Sequence, residues 1–269
     1  MGISKKVSTR ITTELKRYQP ILADAKRRDI SESDTVVIVG DMLADVLGYN
    51  KYQEITAEFA IRGTYVDLAV RVGSDVRFLV EVKPIGSELK DLHVKQAIDY
   101  GANQGIEWVI LTNGTHWRIY RVIFKQPIDK TLVFEADLST LNLRDSDAIE
   151  CIGTLSREGF TQSSMDALAQ QKQATNKFTV AAILLSDPVI AIARRELRRL
   201  YPAVKIDEDI LRNVITTEAL KREVVDGEEA CAAQDVLKKA ARAAKRQKNK
   251  AATETGAQNQ KPSPPPAAT

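Results

Sequence analysis

The sequence predicts an α/β fold, in which a mixed sheet flanked by helices is followed by a helical C-terminal region. Strand patterns, either alternating apolar and polar residues or short apolar runs, occupy residues 54–72, 76–84 and 107–138. Residues 87–104 have helical character, and a strand–helix–strand unit of this length implies a right-handed parallel crossover. After about residue 142 the alternation ends and apolar residues recur at helical spacing.

Two helices are predicted before the first strand. Residues 8–27 carry apolar residues at helical spacing, and Pro20 is expected to interrupt them. The segment SESDTVVIVGDMLADVLGY offers Ser or Asp caps before a second apolar run, which ends at Gly48.

Six strands are predicted in chain order. EITAEFAI and TYVDLAVRV form a hairpin that turns at Arg62-Gly63, and VRFLVEVKP is a third strand closed by Pro84. EWVILTNG ends in an Asn-Gly turn signal, and two further strands follow it, HWRIYRVIF and TLVFEADL.

These patterns divide the chain into four predicted parts: an N-terminal helix at 1–29, a sheet domain at 30–140, a helical region at 141–226, and a basic helix with a Pro-rich tail at 227–269. The end beyond about residue 250 is expected to be disordered because its composition is polar and proline-rich.

Composition favours a cytoplasmic protein without a membrane segment. No apolar run approaches the roughly 18 residues that a membrane span needs, and the polar N-terminus lacks a secretory pattern. The two cysteines, Cys151 and Cys231, have no metal-binding spacing. The only histidines, His93 and His116, lie in separate predicted elements, which argues against zinc.

Two charges interrupt the apolar third strand, at Glu81 and Lys83 in FLVEVKP. Burying an unpaired charge is costly unless a partner or a metal compensates it. Alternation along the strand places both residues with Leu79 on one face, opposite Phe78 and its apolar partners.

The preceding strand contributes a second carboxylate, Asp67. By the same alternation Asp67 lies on the face opposite Val66, Leu68 and Val70, and antiparallel pairing can bring it beside Glu81. Mg²⁺ favours one or two carboxylates with water and phosphate oxygens, and a lysine beside it can orient or deprotonate a water. The pattern leaves open a metal site or an edge-strand salt bridge.

The order of these motifs resembles the PD-(D/E)XK nuclease superfamily. GYNKYQEITAEFAIRGTYVDLAV, FLVEVKPIG and QAIDYGANQGIEWVILTNGTHWRIY together look like the N-terminal nuclease domain of type I restriction enzyme R subunits, over roughly residues 30–125. The resemblance implies a restriction-endonuclease-like sheet and a DNA endonuclease that depends on Mg²⁺ or Mn²⁺, hydrolyses phosphodiesters with a metal-activated water, and serves restriction or DNA defence.

The resemblance also assigns roles to particular residues. It implies that Asp67 and Glu81 hold the metal and that Lys83 serves the attacking water. Gln96 and Tyr100 match the family's QxxxY element and are expected beside the site. Glu58 matches an acid common in the family, although a salt bridge within the hairpin is the favoured role.

The sequence departs from the family pattern at two positions. Val66 stands where the superfamily name has proline. Val36 stands where relatives often place a glutamate, which leaves Asp41 and Asp45 as substitutes for a fourth acid.

A helicase motor is also missing. R subunits carry one, whereas this sequence has no Gly-x-x-x-x-Gly-Lys-Ser/Thr phosphate loop. The expectation is a stand-alone relative that forms a homo-oligomer or relies on a protein partner for a motor or for specificity. The alternative is a non-catalytic module that retains the fold to bind DNA or protein.

A basic segment near the end of the chain suggests nucleic-acid contact. Seven cations lie in residues 238–250, although the net charge of the whole chain is only +3: Lys238, Lys239, Arg242, Lys245, Arg246, Lys248 and Lys250. Such a run is either a solvated helix or a surface that binds phosphates without sequence preference.

Overall fold

The predicted α/β class is confirmed in the computed structural model, which describes residues 3–61, 64–124, 126–161 and 164–258. Six strands form one mixed sheet in chain order, with every neighbouring pair antiparallel except β3 and β4. The strands are β1 (Ile55–Ile61), β2 (Thr64–Val72), β3 (Asp75–Val82), β4 (Trp108–Thr112), β5 (His116–Ile123) and β6 (Asp129–Asp137).

The parallel step is made by helix α3 (Asp91–Gln104), which connects β3 to β4. The predicted parallel crossover is therefore present. The predicted Asn-Gly turn joins β4 to β5, with Gly114 in the left-handed region that favours glycine (φ 85°). The hairpin turn at Arg62-Gly63 lies outside the described residues.

Two helices precede the sheet, α1 (Lys5–Arg28) and α2 (Glu32–Asp45). The expected interruption at Pro20 is wrong, because α1 continues through this exposed residue. Proline removes one backbone donor from the helix, but Ile11, Leu15 and Leu22 are fully buried along one face of α1 and hold it against the core. The Ser31 hydroxyl caps α2 by accepting from the Asp34 N–H (3.2 Å).

Helices cover both faces of the sheet. One face carries the larger core, where Phe78, Val80 and Val82 pack with residues of α1 and α2. The other face carries α3, whose Val94 and Ala97 pack in a second cluster of the core that also contains the following sheet residues: Val66, Ala69, Leu79, Val109 and Leu111.

The chain divides into two compact units, residues 1–172 and 173–269. This division differs from the predicted boundaries at residues 29 and 140. α1 and residues 141–172 belong to the first unit because their apolar side chains enter the larger core. Residues 141–172 form α4 (Ser146–Thr154), α5 (Arg157–Thr161) and α6 (Ser164–Ala174), the last of which ends just beyond the division.

The second unit is helical throughout its described part, as the loss of alternation predicts. It contains α7 (Lys177–Leu184), α8 (Asp187–Leu200), α9 (Glu208–Val214), a π-helix (Ile215–Ala219), α10 (Arg222–Val225) and α11 (Glu228–Gln258). The helix α11 continues past residue 250, where the disordered end was expected to begin, and residues 259–269 lie outside the described part.

Arg10 ties the first helix to the loop after α2 and to α5. Its guanidinium donates to both carboxylate oxygens of Glu158 (2.8 Å each) and to the carbonyls of Val46 and Leu47 (3.2 Å each). Gly48 lies against this guanidinium, since a Cβ at that position would come within 2.7 Å of it. The Arg10 guanidinium therefore fixes how α1, the loop after α2 and α5 meet in the first unit.

We expect Glu158→Gln to lower stability in a pH-dependent way. The hydrogen bonds from Arg10 hold the pKa of Glu158 below its usual value. A carboxyl with a lowered folded-state pKa stabilises the protein above its unfolded pKa, about 4.3, and loses that contribution as the pH falls. The variant should lose about 0.5–1 kcal/mol at pH 7, after allowance for solvent screening.

Thermal unfolding at pH 7 and pH 3 measures this effect. Glu88→Gln is the matched control, because Glu88 is exposed and no ion pair of the described residues involves it. An equal deficit for Glu158→Gln at both pH values would contradict the expectation.

Candidate functional site

The candidate site begins where β3 ends. The Lys83 N–H donates to the Thr112 carbonyl of β4 (2.8 Å), so pairing with β4 extends one residue beyond Val82. The Lys83 ammonium donates to Glu81 Oε1 (2.9 Å), and both side chains are largely shielded from solvent. The two charges in FLVEVKP thus compensate each other.

Asp67 approaches the same strand end from β2. Its Oδ2 accepts a hydrogen bond from the Val82 N–H (2.7 Å). The strand pairing between β2 and β3 extends only to Leu68 and Val80. Beyond this pair, the Asp67 carboxylate and not a backbone carbonyl of β2 accepts the hydrogen bond from β3. The Asp67 and Lys83 charges act on one another at this end of the sheet.

A third acid, Glu32, completes the cluster. Its Oε2 lies 3.5 Å from the Lys83 ammonium, and its charge acts on Asp67 and Glu81 as well. Glu32 lies in the first turn of α2, which Ser31 begins. We define the carboxylate cluster as Glu32, Asp67, Glu81 and Lys83.

The substitutes proposed for the fourth acid are wrong. Asp41 pairs with Lys51, and Asp45 accepts from the Tyr18 hydroxyl (2.7 Å). Val36 packs against the larger core. The cap at Ser31 was a usable signal, since it places Glu32 at the start of the helix, but motif spacing directed attention one turn further along.

Burial dominates the electrostatics of the two strand carboxylates. Burial raises the pKa of Asp67, and the hydrogen bond from Val82 only partly offsets it. Burial likewise raises the pKa of Glu81, where the hydrogen bond from Lys83 opposes it and the Asp67 charge adds to it. Three carboxylates face one ammonium, so the cluster has excess negative charge.

The pKa of Lys83 is raised as well, which for a lysine favours the charged form. Burial favours the neutral amine, but the hydrogen bond to Glu81 and the charges of Glu81, Glu32 and Asp67 outweigh it, so the pKa of Lys83 lies above its usual value. Lys83 is therefore an ammonium that donates hydrogen bonds, and the predicted option of a lysine that deprotonates water does not fit this environment.

Gln96 and Tyr100 form a pair on α3. Gln96 is exposed and its Nε2 donates to the Tyr100 hydroxyl (2.7 Å). Tyr100 packs against the core cluster on the α3 side. The hydrogen bonds and ion pairs shown for the carboxylate cluster within the described chain do not include Gln96.

Glu58, the further candidate acid, is exposed on the edge strand β1 with its backbone in the left-handed region (φ 49°). Within the described residues no ion pair involves Glu58. The predicted salt bridge within the hairpin is therefore not present among the described residues, and the hairpin turn at Arg62-Gly63 lies outside them.

The donor set of Asp67 and Glu81 fits Mg²⁺ in its chemistry. The ion commonly takes one or two carboxylates and completes its shell with water. Three carboxylates with one ammonium also leave a charge imbalance that a further cation would balance. In the part of the chain that the structure describes, no group of three or more His, Cys, Asp and Glu side chains is arranged as a metal site.

A scan against protein-family models found no match, and neither did searches of curated proteins and of solved structures. Across the described residues, no helix combines the length and apolar character that crossing a bilayer requires.

We expect Asp67→Asn to stabilise the protein near neutral pH. A carboxyl whose pKa is raised on folding destabilises the folded state once the pH exceeds its unfolded pKa, about 3.9. Asparagine removes the free-energy cost of the buried charge, and its carbonyl oxygen can still accept a hydrogen bond from the Val82 N–H. The gain should reach about 1 kcal/mol at most, because Asp67 is only part-buried and solvent screens it.

Chemical denaturation at pH 7 and at pH 3.5 tests this prediction. The gain should shrink in acid, where the wild-type carboxyl is protonated. Asp75→Asn, at an exposed strand end, is the control. Lower stability of Asp67→Asn at pH 7 would show that the charge itself supports the fold.

Proposed function

We propose that this protein is a Mg²⁺-dependent endonuclease that hydrolyses phosphodiester bonds of DNA, with a role in restriction or DNA defence. The observation that carries the proposal is the carboxylate cluster at the end of β3, where Glu81 and Glu32 contact Lys83 and the Val82 N–H holds the Asp67 carboxylate at the same strand end. The family resemblance of the strand motifs adds the choice of DNA as substrate.

In the proposed reaction, the carboxylates and the ammonium of the carboxylate cluster have different roles. Asp67 and Glu81 would hold the cation, and Mn²⁺ would be able to replace Mg²⁺ in such an all-oxygen site. Bound at this position, the ion supplies Lewis acidity to the phosphate and to a water. The Lys83 ammonium donates to the attacking water and orients it. Glu32 and Glu81 both contact the Lys83 ammonium, so Glu32 would still hold Lys83 in place if Glu81 served as a cation ligand.

DNA binding draws further support from α11. The structure extends one helix through the whole basic segment, and Lys238, Lys239 and Arg242 are exposed on it. A lysine-rich helix without aromatic residues suits contact with phosphates and not with base edges. Sequence specificity, or a motor, is then left to a protein partner or to a second copy of the chain.

One observation favours the non-catalytic alternative. Gln96 hydrogen-bonds Tyr100 on the exposed face of α3, while Lys83 already neutralises Glu81. A module that only binds DNA or protein could keep such an ion pair for stability. Activity of the wild-type protein separates the two functions.

We expect wild-type protein to cleave DNA only when Mg²⁺ or Mn²⁺ is present, and Lys83→Ala to reduce the rate by at least about 100-fold. The loss follows because alanine removes the group that orients the attacking water. The assay uses linear, nicked, supercoiled and single-stranded DNA, and chelator in place of metal.

Lys95→Ala is the matched control, because Lys95 is an exposed lysine on α3 outside the cluster. It should retain wild-type activity. Binding of DNA without cleavage of any form, with either metal, would favour the non-catalytic module.

The contribution of α11 is predicted to be electrostatic. Replacing Lys238, Lys239 and Arg242 by glutamine should weaken binding to all sequences alike, because the contacts are to phosphates. The slope of log affinity against log salt should fall by up to about 2.7, that is, about 0.9 for each lost contact. Fluorescence anisotropy on two unrelated duplexes measures both effects.

An equal charge change elsewhere provides the control. Arg195, Arg198 and Arg199 lie exposed on α8, and their replacement by glutamine changes net charge by the same amount. An unchanged salt slope in the α11 variant would make its basic segment a solvated helix. The same loss in both variants would indicate a net-charge effect.

A further inference from the structure

At Asp67 the β1–β2 hairpin reverses which of its side chains point to which face of the sheet. Ala57 pairs with Leu68 and Phe59 pairs with Val66, so Glu58 and Asp67 face each other in register, yet they form no pair in the ladder. Both strands therefore carry one unpaired residue at the same level.

The packing on the two sides of this level shows the change directly. Leu68 and Val70 belong to the larger core, as alternation predicts. Val66 packs in the α3-side cluster, with Phe59 beside it, although alternation places Val66 with Leu68. The predicted parity of Val66 is wrong because the strand turns over between these residues.

Glu58 supplies the backbone conformation at this point. Its φ of 49° lies in the left-handed region, which L-residues other than Asn and Asp seldom adopt. The other described non-glycine residue with positive φ, Asp29, follows a helix end, where that conformation is usual. Glu58 instead lies inside a strand, so surrounding structure must impose the conformation.

The consequence falls on Asp67. A regular strand residue points its side chain away from the sheet, whereas the Asp67 carboxylate reaches the Val82 N–H of the neighbouring strand at 2.7 Å. This contact brings Asp67 to the end of β3, where Glu81 and Lys83 lie. Asp67, which has no partner in the ladder with β1, is thus the residue at which β2 departs from the regular strand pattern and contributes a side chain to the carboxylate cluster.

We propose that Glu58 is a positioning residue whose left-handed backbone holds Asp67 in the carboxylate cluster. The inference rests on the proposed function for its purpose, since Asp67 is a cation ligand there. It concerns the backbone of Glu58 and not its carboxylate, which is exposed. Variants should therefore rank by their tolerance of positive φ and not by charge.

Amide hydrogen exchange at Val82 tests this without any metal. The Val82 N–H donates to Asp67, whereas the Lys83 N–H donates to Thr112 of β4 and serves as the internal control. Asp67→Ala should speed Val82 exchange about tenfold, the size expected for one lost hydrogen bond, and calibrates the signal.

Four substitutions at Glu58 give the ranking. Glu58→Gly and Glu58→Asn tolerate positive φ and should keep or increase Val82 protection, and Glu58→Gln should match the wild type. Glu58→Val, which strongly disfavours the left-handed region, should approach the exchange rate of Asp67→Ala with Lys83 unchanged. Among the four Glu58 variants, only Glu58→Val should lower the Mg²⁺ affinity, by about tenfold, when calorimetry is carried out with the metal alone.

Three outcomes would overturn the inference: full Val82 protection in folded Glu58→Val, faster exchange in Glu58→Gly or Glu58→Asn, or faster exchange in Glu58→Gln. The glycine and asparagine variants keep it testable if Glu58→Val does not fold. A wild-type protein that binds no Mg²⁺ would defeat the proposed function, while Val82 exchange would still decide the role of Glu58.

Discussion

Strand β3 is buried on both faces, and this burial decides where charged side chains can lie in the first unit. Phe78, Val80 and Val82 are fully buried on one face and Leu79 on the other, and β2 and β4 occupy both edges of the strand. Such a strand has no room for an uncompensated charge along its length. Polar chemistry is possible only at its end, where the ladder with β2 stops and helix α2 begins, and the carboxylate cluster lies there.

The carboxylate cluster lowers the stability of the folded protein. Burial raises the pKa of both Asp67 and Glu81, and one ammonium cannot neutralise three carboxylates. The hairpin adds a second unfavourable feature at Glu58, whose backbone occupies a region that strands avoid. Features that oppose stability and meet at one point are typical of functional sites, because packing elsewhere sustains them. Arg10 and the larger core supply that packing in the first unit.

The two units differ in how completely they bury apolar surface. The first contains both clusters of the core. In the described part of the second, the buried residues are few and mostly small: Ala181, Ala182, Ile190 and Ala230. Large apolar side chains such as Leu200 and Ile210 remain exposed there. The candidate chemistry therefore belongs to the unit with the larger buried core, and the basic helix belongs to the unit that buries less apolar surface.

All six strands were predictable because alternating patterns and short apolar runs are local features, and Asp67, Glu81 and Lys83 stood out because charges are rare in apolar strands. Other features depend on contacts between segments that lie far apart in the chain. Glu32 joins the cluster because α2 begins beside the end of β3, a meeting of segments about 50 residues apart that no local pattern encodes. Packing likewise carried α1 through Pro20 and drew residues 141–172 into the first unit. Alternation also fails at Val66, which packs in the α3-side cluster, at the level of the hairpin where Glu58 of the neighbouring strand has a left-handed backbone that residue type does not reveal.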